Sequence, residues 1–192
     1  YSAAEKLQLA RMLLTDVGVD RIEIASTRVS RGEHEAARLV TEWAQKEGAI
    51  ERVEMLGFCD GQTSVDWLTE VGGSAMNLLT KGSEHHCRTQ LGMTPKDHIK
   101  RIEDTVTWAH KRKVVLSAYL EDWSNGVRDS FEYVASLIES LLRMEVERIY
   151  LADTLGILSP NDVTHYVELM VDTWPDLKFE YHGHNDYGLS TA

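Results

Sequence analysis

The chain has 192 residues, 43% of them hydrophobic and 27% charged, a composition typical of a globular protein with a substantial core. Its formal net charge of −11 argues against a surface that binds nucleic acid through clustered Lys and Arg. No apolar run approaches the roughly 20 residues that a membrane-spanning helix needs, so no membrane association is expected. Cys59 and Cys87 are too few for a disulfide framework, and a reduced, cytoplasmic location is expected.

The first half of the chain alternates helical and extended patterns. Ser2 to Val17 has apolar residues at helical spacing, and Ser2 with Glu5 matches a capping box. The periodicity then predicts a strand at 21–25, a helix at 33–46, a strand at 52–58, a helix at 65–71 and a buried strand at 75–79.

The second half repeats this alternation. Pro95 occupies the tolerated first position of a helix predicted from Thr94 to Lys111. There follow a strand at 113–120, a helix at 130–144, a strand at 148–152, a helix that begins at 159 and ends before 175, and a strand at 177–182. The result is six strands and six helices, spaced as in βαβ units of about 30 residues.

Alternating units of this kind build a parallel sheet, either doubly wound or closed into an eight-stranded barrel. No strand is followed by the Gly-rich phosphate-binding turn that is usual in the doubly wound fold. Polar residues instead lie in or just after the C-terminal ends of the strands, where a barrel assembles its active site. These are Glu23, Cys59-Asp60, Thr80-Lys81, Tyr119 with Glu121-Asp122, Asp153-Thr154, and His182 with His184.

The sequence therefore predicts an α/β fold of the TIM (β/α)8-barrel type. Because six strands cannot close a barrel of eight, we expect the first strand and the last strand region to lie outside this sequence. Residues 1–192 contain no low-complexity stretch or flexible linker, and are expected to be part of a single catalytic barrel domain.

The His182-Gly183-His184 sequence is the clearest candidate for a metal site. Residues two apart in a strand project from the same face, so both imidazoles would point the same way. Two neutral ring nitrogens at a strand end can hold a divalent metal ion. Spacing alone leaves open the alternative that one histidine packs in the core and the other is merely solvated.

Three further positions carry side chains suited to chemistry. Tyr119 and Glu121 share the same-face spacing, and a carboxylate beside a bound carbonyl compound can act as a general base. The alternative is an acid on a surface loop, which is what we expect of Asp122. The Thr154 hydroxyl can donate to a substrate carboxylate, or can join Asp153 in satisfying backbone amides at a helix N-terminus.

Two apolar residues and one histidine complete the candidates. Leu56 and Leu79 can be barrel core or the apolar wall that limits substrate size. Since adjacent side chains diverge in an extended chain, at most one of His85 and His86 can reach the site, and we expect it to be His86.

Five motifs occur in order along the chain: Arg-Ile-Glu-Ile-Ala-Ser at 21–26, Ser-Glu-His-His at 83–86, Tyr-Leu-Glu-Asp at 119–122, Asp-Thr-Leu-Gly at 153–156 with Pro160, and His-Gly-His-Asn-Asp at 182–186. Together they resemble the catalytic barrel of the 2-isopropylmalate, homocitrate and citramalate synthases. These belong to a metal-dependent superfamily with 3-hydroxy-3-methylglutaryl-CoA lyase and pyruvate carboxylase. The likeness covers essentially the whole chain. It is closest to (R)-citramalate synthase, through residues 79–83 and 119–126.

This resemblance implies an acyltransferase of branched-chain amino-acid biosynthesis, which condenses acetyl-CoA with a 2-oxo acid. Pyruvate is the favoured acceptor. A divalent ion (zinc, manganese or magnesium) would act as Lewis acid and template. By motif match the metal ligands would be His182 and His184, and the carboxylate-binding residue would be Thr154. Glu121 would be the acid/base candidate or the residue that orients it, and the pocket would be lined by Tyr119, Leu56, Leu79 and His86. A homodimer is expected from the family.

Three alternatives remain. A roomier pocket would make the protein a 2-isopropylmalate synthase acting on 2-oxoisovalerate, as in leucine biosynthesis. A metal-dependent lyase or aldolase of the same superfamily would usually need a reactive loop cysteine, and neither Cys59 nor Cys87 is clearly placed for that. A degenerate, non-catalytic barrel is the third. The family's Arg-Asp pair, which supplies a third metal ligand, has no counterpart here, so residues 1–192 alone are expected to be inactive.

Overall fold

A computed structural model describes residues 1–191 and contains the six predicted strands. They are β1 (Ile22–Ser26), β2 (Val53–Phe58), β3 (Ala75–Lys81), β4 (Val115–Glu121), β5 (Ile149–Asp153) and β6 (Phe179–Gly183). The α-helices are α1 (Ala3–Arg11), α2 (Arg31–Lys46), α3 (Thr63–Glu70), α4 (Glu84–Thr89), α5 (Pro95–Lys111), α6 (Trp123–Asp129), α7 (Phe131–Arg143) and α8 (Pro160–Thr173).

The structure adds two short α-helices and changes two predicted elements. Helices α4 and α6 were not predicted, because neither the six residues of α4 nor the polar, glycine-containing sequence of α6 shows a clear apolar period. The first helix changes at Met12–Val17 into a π-helix, which Gly18 ends in a left-handed conformation. Strand β4 begins at Val115 rather than at Lys113, whose φ of 59° is incompatible with a strand.

The six strands form one sheet in the order β1-β2-β3-β4-β5-β6. The pairs β1/β2, β4/β5 and β5/β6 are parallel. Sequential parallel strands joined by helices are the connectivity of a TIM barrel, so the predicted fold class is confirmed as a partial barrel. Six of the eight strands of such a barrel lie within the described residues.

The chain groups into two compact units. The first comprises Tyr1–Leu78 and Ile102–Leu116, and the second comprises Leu79–Arg101 and the residues from Ser117 onward. In the first unit, Leu14, Trp43 and Val53 belong to one buried apolar cluster. In the second unit the residues buried to 1% or less include Leu120, Leu137, Leu141, Ile149 and Leu151. That residues 1–192 belong to a single catalytic domain stays a prediction.

Local signals read from the sequence are present at the helix ends. The Ser2–Glu5 capping box forms at α1, and a second capping box joins Ser159 to Asp162 at α8, with Pro160 in its first turn. Both cysteines are free thiols. Among residues 1–191 no helix is long and apolar enough to cross a membrane.

One residue assigned to the strand ends lies elsewhere. Glu23 is the second residue of β1, and its carboxylate accepts a hydrogen bond of 2.8 Å from the Asn77 side chain. The same amide donates to buried Glu54 at 3.0 Å, and Arg21 lies 3.3 Å from the other Glu54 oxygen. Glu23 therefore belongs to a polar cluster inside the first unit.

Candidate functional site

A row of rings on one face of β4, β5 and β6 forms the centre of the candidate site. Tyr119 pairs in register with Tyr150, and their rings stack with centroids 4.3 Å apart and 19° between the planes. Tyr119 also meets His182 edge to face at 5.3 Å. The His182 and His184 rings lie 5.1 Å apart. Strand alternation and parallel pairing together bring these side chains to one place.

The two histidines are the candidate ligands for a divalent metal ion. Both are exposed in the described chain, so neither packs in the core. Loss of solvation on the strand side, and next the charge of His184, lowers the pKa of His182, which favours the neutral imidazole that a metal requires. Residues 1–191 contain no group of three His, Cys, Asp or Glu side chains placed to hold a metal. The pair is therefore an incomplete ligand set within this part of the chain.

The loop after β5 supports the His184 backbone. The His184 amide donates to the Asp153 carbonyl at 3.2 Å. Gly156 has a φ of +62°, and a β-carbon there would lie 2.7 Å from the His184 carbonyl oxygen. A cavity of about 280 Å³ adjoins this loop, with Gly156, Tyr181 and His184 in its wall. Burial raises the pKa of Tyr181 to about 12, and the negative charge of Asp153 and its hydrogen bond with Tyr181 add to this shift.

Glu121 is the last residue of β4, and its carboxylate forms an ion pair with Lys81, the last residue of β3. The Glu121 side chain is 22% exposed and so remains accessible. The two strand ends are also joined by hydrogen bonds from the Thr80 hydroxyl to the Tyr119 carbonyl, 2.7 Å, and from the Gly82 amide to the Glu121 carbonyl, 2.6 Å. Sequence analysis placed Lys81 at a strand end but gave it no partner, because that partner lies on another strand.

The expectation that Asp122 is a surface acid is wrong. Asp122 is 1% exposed and has a left-handed φ of 64°, which turns the chain inward at the start of α6. Its carboxylate accepts hydrogen bonds from the Ser83 hydroxyl at 2.6 Å and the Asn125 amide at 2.8 Å. Its backbone N–H donates to the Thr154 hydroxyl oxygen at 2.8 Å. A buried acid with these partners holds three loops of the second unit together.

The alternatives left open for Asp153 and Thr154 are partly resolved. The Asp153 carboxylate accepts from the amides of Ile157 and Leu158 at 3.1 and 2.9 Å, so it satisfies loop amides ahead of α8. The N-cap of that helix is Ser159. The Thr154 oxygen accepts one hydrogen bond, and its O–H can still donate to a ligand.

His86 lies in helix α4, so the extended-chain argument used for it does not hold. The helix nevertheless turns His86 inward, with Nε2 3.5 Å from a carboxylate oxygen of Asp122 and 3.3 Å from the Gln90 amide nitrogen, while His85 is exposed. Leu56 in the first unit and Leu79 in the second are each partly exposed, and neither is a fully buried core residue. Their predicted role in a substrate-limiting wall stays a prediction, as does substrate contact by His86.

The fold and these residues define a (β/α)8-barrel protein that gathers ionisable and aromatic side chains at the carboxyl ends of its strands. More particularly, the chain belongs to the HMGL-like family, whose model matches residues 1–192.

Curated relatives agree with this assignment. The chain is 29% identical over 189 residues to a protein named as an (R)-citramalate synthase from Methanopyrus kandleri, covering 98% of this chain and 35% of the relative. It is 23% identical over 192 residues to a homocitrate synthase from Sulfolobus acidocaldarius, covering 100% of this chain and 40% of that protein. The chain thus spans less than half the length of these relatives.

Among solved structures, a hydroxymethylglutaryl-CoA lyase from Pseudomonas aeruginosa superposes with a TM-score of 0.74. The match covers 100% of this chain and 64% of that one, at 20% sequence identity. At this identity the likeness shows the fold.

Proposed function

We propose that the protein containing this chain is an acyltransferase that condenses acetyl-CoA with a 2-oxo acid, and that pyruvate, giving citramalate, is its preferred acceptor. The observation that supports this most is the contact of His182 with both His184 and Tyr119, on the strand face that also carries Glu121. A candidate metal-ligand pair, an aromatic wall and an accessible carboxylate are what a Claisen condensation requires.

Each residue has a part in this proposal. His182 and His184 would hold a divalent metal ion, which when bound would polarise the keto group and orient the oxo acid. The free O–H of Thr154 would donate to the carboxylate of the oxo acid. Glu121 would accept a methyl proton from acetyl-CoA, so that the methyl carbon can bond to the keto carbon. Hydrolysis of the resulting thioester would release CoA.

The stacked pair Tyr119 and Tyr150 supports pyruvate as the acceptor. Two rings in van der Waals contact cannot be displaced without losing their stacking, so they would narrow the pocket beside His182. A 2-oxo acid with a branched side chain, such as 2-oxoisovalerate, would have to fit beside them. Each extra methylene changes discrimination by about 1–3 kcal/mol, so the preference is a matter of degree.

The lyase alternative would need a reactive cysteine, and Cys87, in the second unit, does not fit that role. This thiol is fully buried, and burial raises its pKa, so it is unsuited to the role of a reactive loop cysteine.

The test is CoA release from acetyl-CoA by the full-length protein, with pyruvate, with 2-oxoisovalerate and without an oxo acid. His182→Ala and His184→Ala should each lower kcat by at least about 100-fold and remove bound metal measured by elemental analysis. His165→Ala, at an exposed histidine of α8, is the matched control. Full activity and metal content in the His182→Ala, His184→Ala double variant would disprove the proposal.

We also propose that residues 1–192 alone do not turn over substrate, because the described part supplies two candidate metal ligands and no group of three. Measurable CoA release by this chain alone would contradict that expectation.

A further inference from the structure

We propose that Lys81 is a positioning residue for Glu121, whose carboxylate it holds in the orientation needed for proton transfer. This inference rests on the proposed function, in which Glu121 exchanges a proton with the acyl donor.

The side chain of Lys81 lies in a chain of polar contacts that joins two consecutive acids. The side chain is 12% exposed, and its ammonium pairs with Glu121 and donates to the Gln90 side-chain oxygen at 2.9 Å. The Gln90 side-chain nitrogen lies 3.3 Å from His86 Nε2. The same His86 nitrogen lies 3.5 Å from a carboxylate oxygen of Asp122. The contacts therefore run from Glu121 to Asp122 through Lys81, Gln90 and His86.

The backbone of Lys81 is held by two buried side chains. Its N–H donates to His98 Nε2 at 3.4 Å, and its carbonyl accepts from the Tyr133 hydroxyl at 2.7 Å. The Tyr133 oxygen lies 2.9 Å from His98 Nδ1. The three hydrogen bonds form a closed cycle. With a proton on His98 Nδ1, the Lys81 backbone, the His98 imidazole and the Tyr133 hydroxyl each donate one hydrogen bond and accept one. Exposures of 1% for His98 and 6% for Tyr133 make the support rigid.

This arrangement has a consequence for Glu121. Lys81 contacts one carboxylate oxygen, Oε2, which leaves Oε1 for a substrate proton. Glu121 is followed directly by the negative charge of Asp122, so without the ammonium the Glu121 side chain would rotate away from its neighbour. A misplacement of about 1 Å is enough to slow a reaction about 100-fold, so a residue that fixes this carboxylate affects the rate without touching the substrate.

The test compares Lys81→Met, Lys81→Arg, Glu121→Gln and the double variant Lys81→Met with Glu121→Gln, all in the full-length protein. Lys81→Met should lower kcat about 10- to 100-fold and change KM for pyruvate less than about 3-fold. Lys81→Arg should recover most of the rate. In the Glu121→Gln background Lys81→Met should have little further effect, because Lys81 acts through Glu121.

Lys6→Met is the matched control, since Lys6 also forms a partly buried ion pair, with Glu33, in the first unit. It should leave kcat unchanged. If Lys81→Met does not fold, Lys81→Gln is measured in its place, and a crystal structure of the folded variant should show the Glu121 carboxylate moved.

The outcomes separate the two ideas. If the wild type releases no CoA with any 2-oxo acid, the proposed function fails and this inference falls with it. If Glu121→Gln is impaired while the folded Lys81 variant behaves like Lys6→Met, the positioning role is overturned and the function stands. Independent, additive losses from the two substitutions would also overturn it.

Discussion

At the scale of single residues, Gly156 shows how a small side chain holds a candidate ligand in place. It is needed for two separate reasons: its φ is +62°, and a β-carbon added to it would lie only 2.7 Å from the His184 carbonyl oxygen. Any other residue would be strained by the left-handed φ, and its β-carbon would push the His184 backbone away.

Gly156→Ala is therefore expected to lower the free energy of unfolding by about 3 kcal/mol, from left-handed strain and the contact together. It should also weaken the proposed metal binding, because His184 must shift. Urea unfolding and metal titration of the full-length protein measure the two effects.

Gly92→Ala is the control for Gly156→Ala, since Gly92 has a nearly equal φ of +63° but no atom within 4 Å of an added β-carbon. This variant should cost about 1–2 kcal/mol and leave metal affinity unchanged. Equal losses of metal affinity in the two variants would show that contact with His184 is unimportant.

At the scale of elements, helix α6 lies unusually close to the turn that follows β3. A β-carbon on Gly126 would be 1.9 Å from the Gly82 carbonyl oxygen, and one on Gly82 would be 2.7 Å from the Leu120 carbonyl oxygen. Two glycines thus allow backbone to pack against backbone next to Lys81 and Asp122. This contact and the burial of Trp123 and Val127 together place the short helix.

Gly126→Ala should accordingly destabilise the protein by at least about 2 kcal/mol, although the same change inside a helix normally stabilises by about 1 kcal/mol. The reason is that α6 must move away from Gly82. Thermal or urea unfolding measures the change.

Gly32→Ala in α2 is the matched helix variant, because its added β-carbon would meet nothing closer than 3.7 Å. It should be neutral or stabilising by up to about 1 kcal/mol. A stabilising Gly126→Ala would show that α6 has room to adjust.

At the scale of the whole molecule, stability in acid should depend on His98 more than on the other seven histidines, because its pKa is lowered the most. Burial, and then the positive charges of Lys81 and Arg101, lowers the pKa of His98 from 6.5 to about 4. Between these values the unfolded chain binds a proton that the folded state excludes. The free energy of unfolding therefore falls as the pH drops from about 6.5 to about 4, and this contribution is fully present only above that window.

Replacing His98 removes its contribution to this dependence. Urea unfolding from pH 7 to pH 4 should show a shallower fall for His98→Gln than for the wild type, by up to about 1.4 kcal/mol per pH unit. The overall stability of the variant will be lower, because the ring of hydrogen bonds to Lys81 is broken, so the slope is the quantity to compare. His165→Gln, at an exposed site, should keep the wild-type slope; an unchanged slope in His98→Gln would refute the expectation.

Most of the strands and helices were predictable because the spacing of apolar residues within each element indicates its type. All six strands and six of the helices follow from apolar spacing, and the barrel class follows from their alternation together with the polar residues at the strand ends. Helices α4 and α6 were missed because neither shows a clear apolar period, and α6 also depends on the contact between Gly82 and Gly126.

The candidate site divides in the same way. Alternation along a strand is a local property, so the shared face of Tyr119 with Glu121, and of His182 with His184, could be inferred from spacing. The stacking of Tyr150 on Tyr119 and the ion pair of Lys81 with Glu121 could not, because each joins residues from different strands.

Asp122 shows the limit most clearly. Its residue type and loop position predict a solvated acid, but a left-handed backbone turns it toward Ser83 and Asn125, and they compensate its burial. Which residues form each strand and which face they share is a matter of local pattern, readable from the chain. Which side chains meet across strands, and whether a charge ends in water or in the interior, depends on contacts between distant segments, and these exist only after folding.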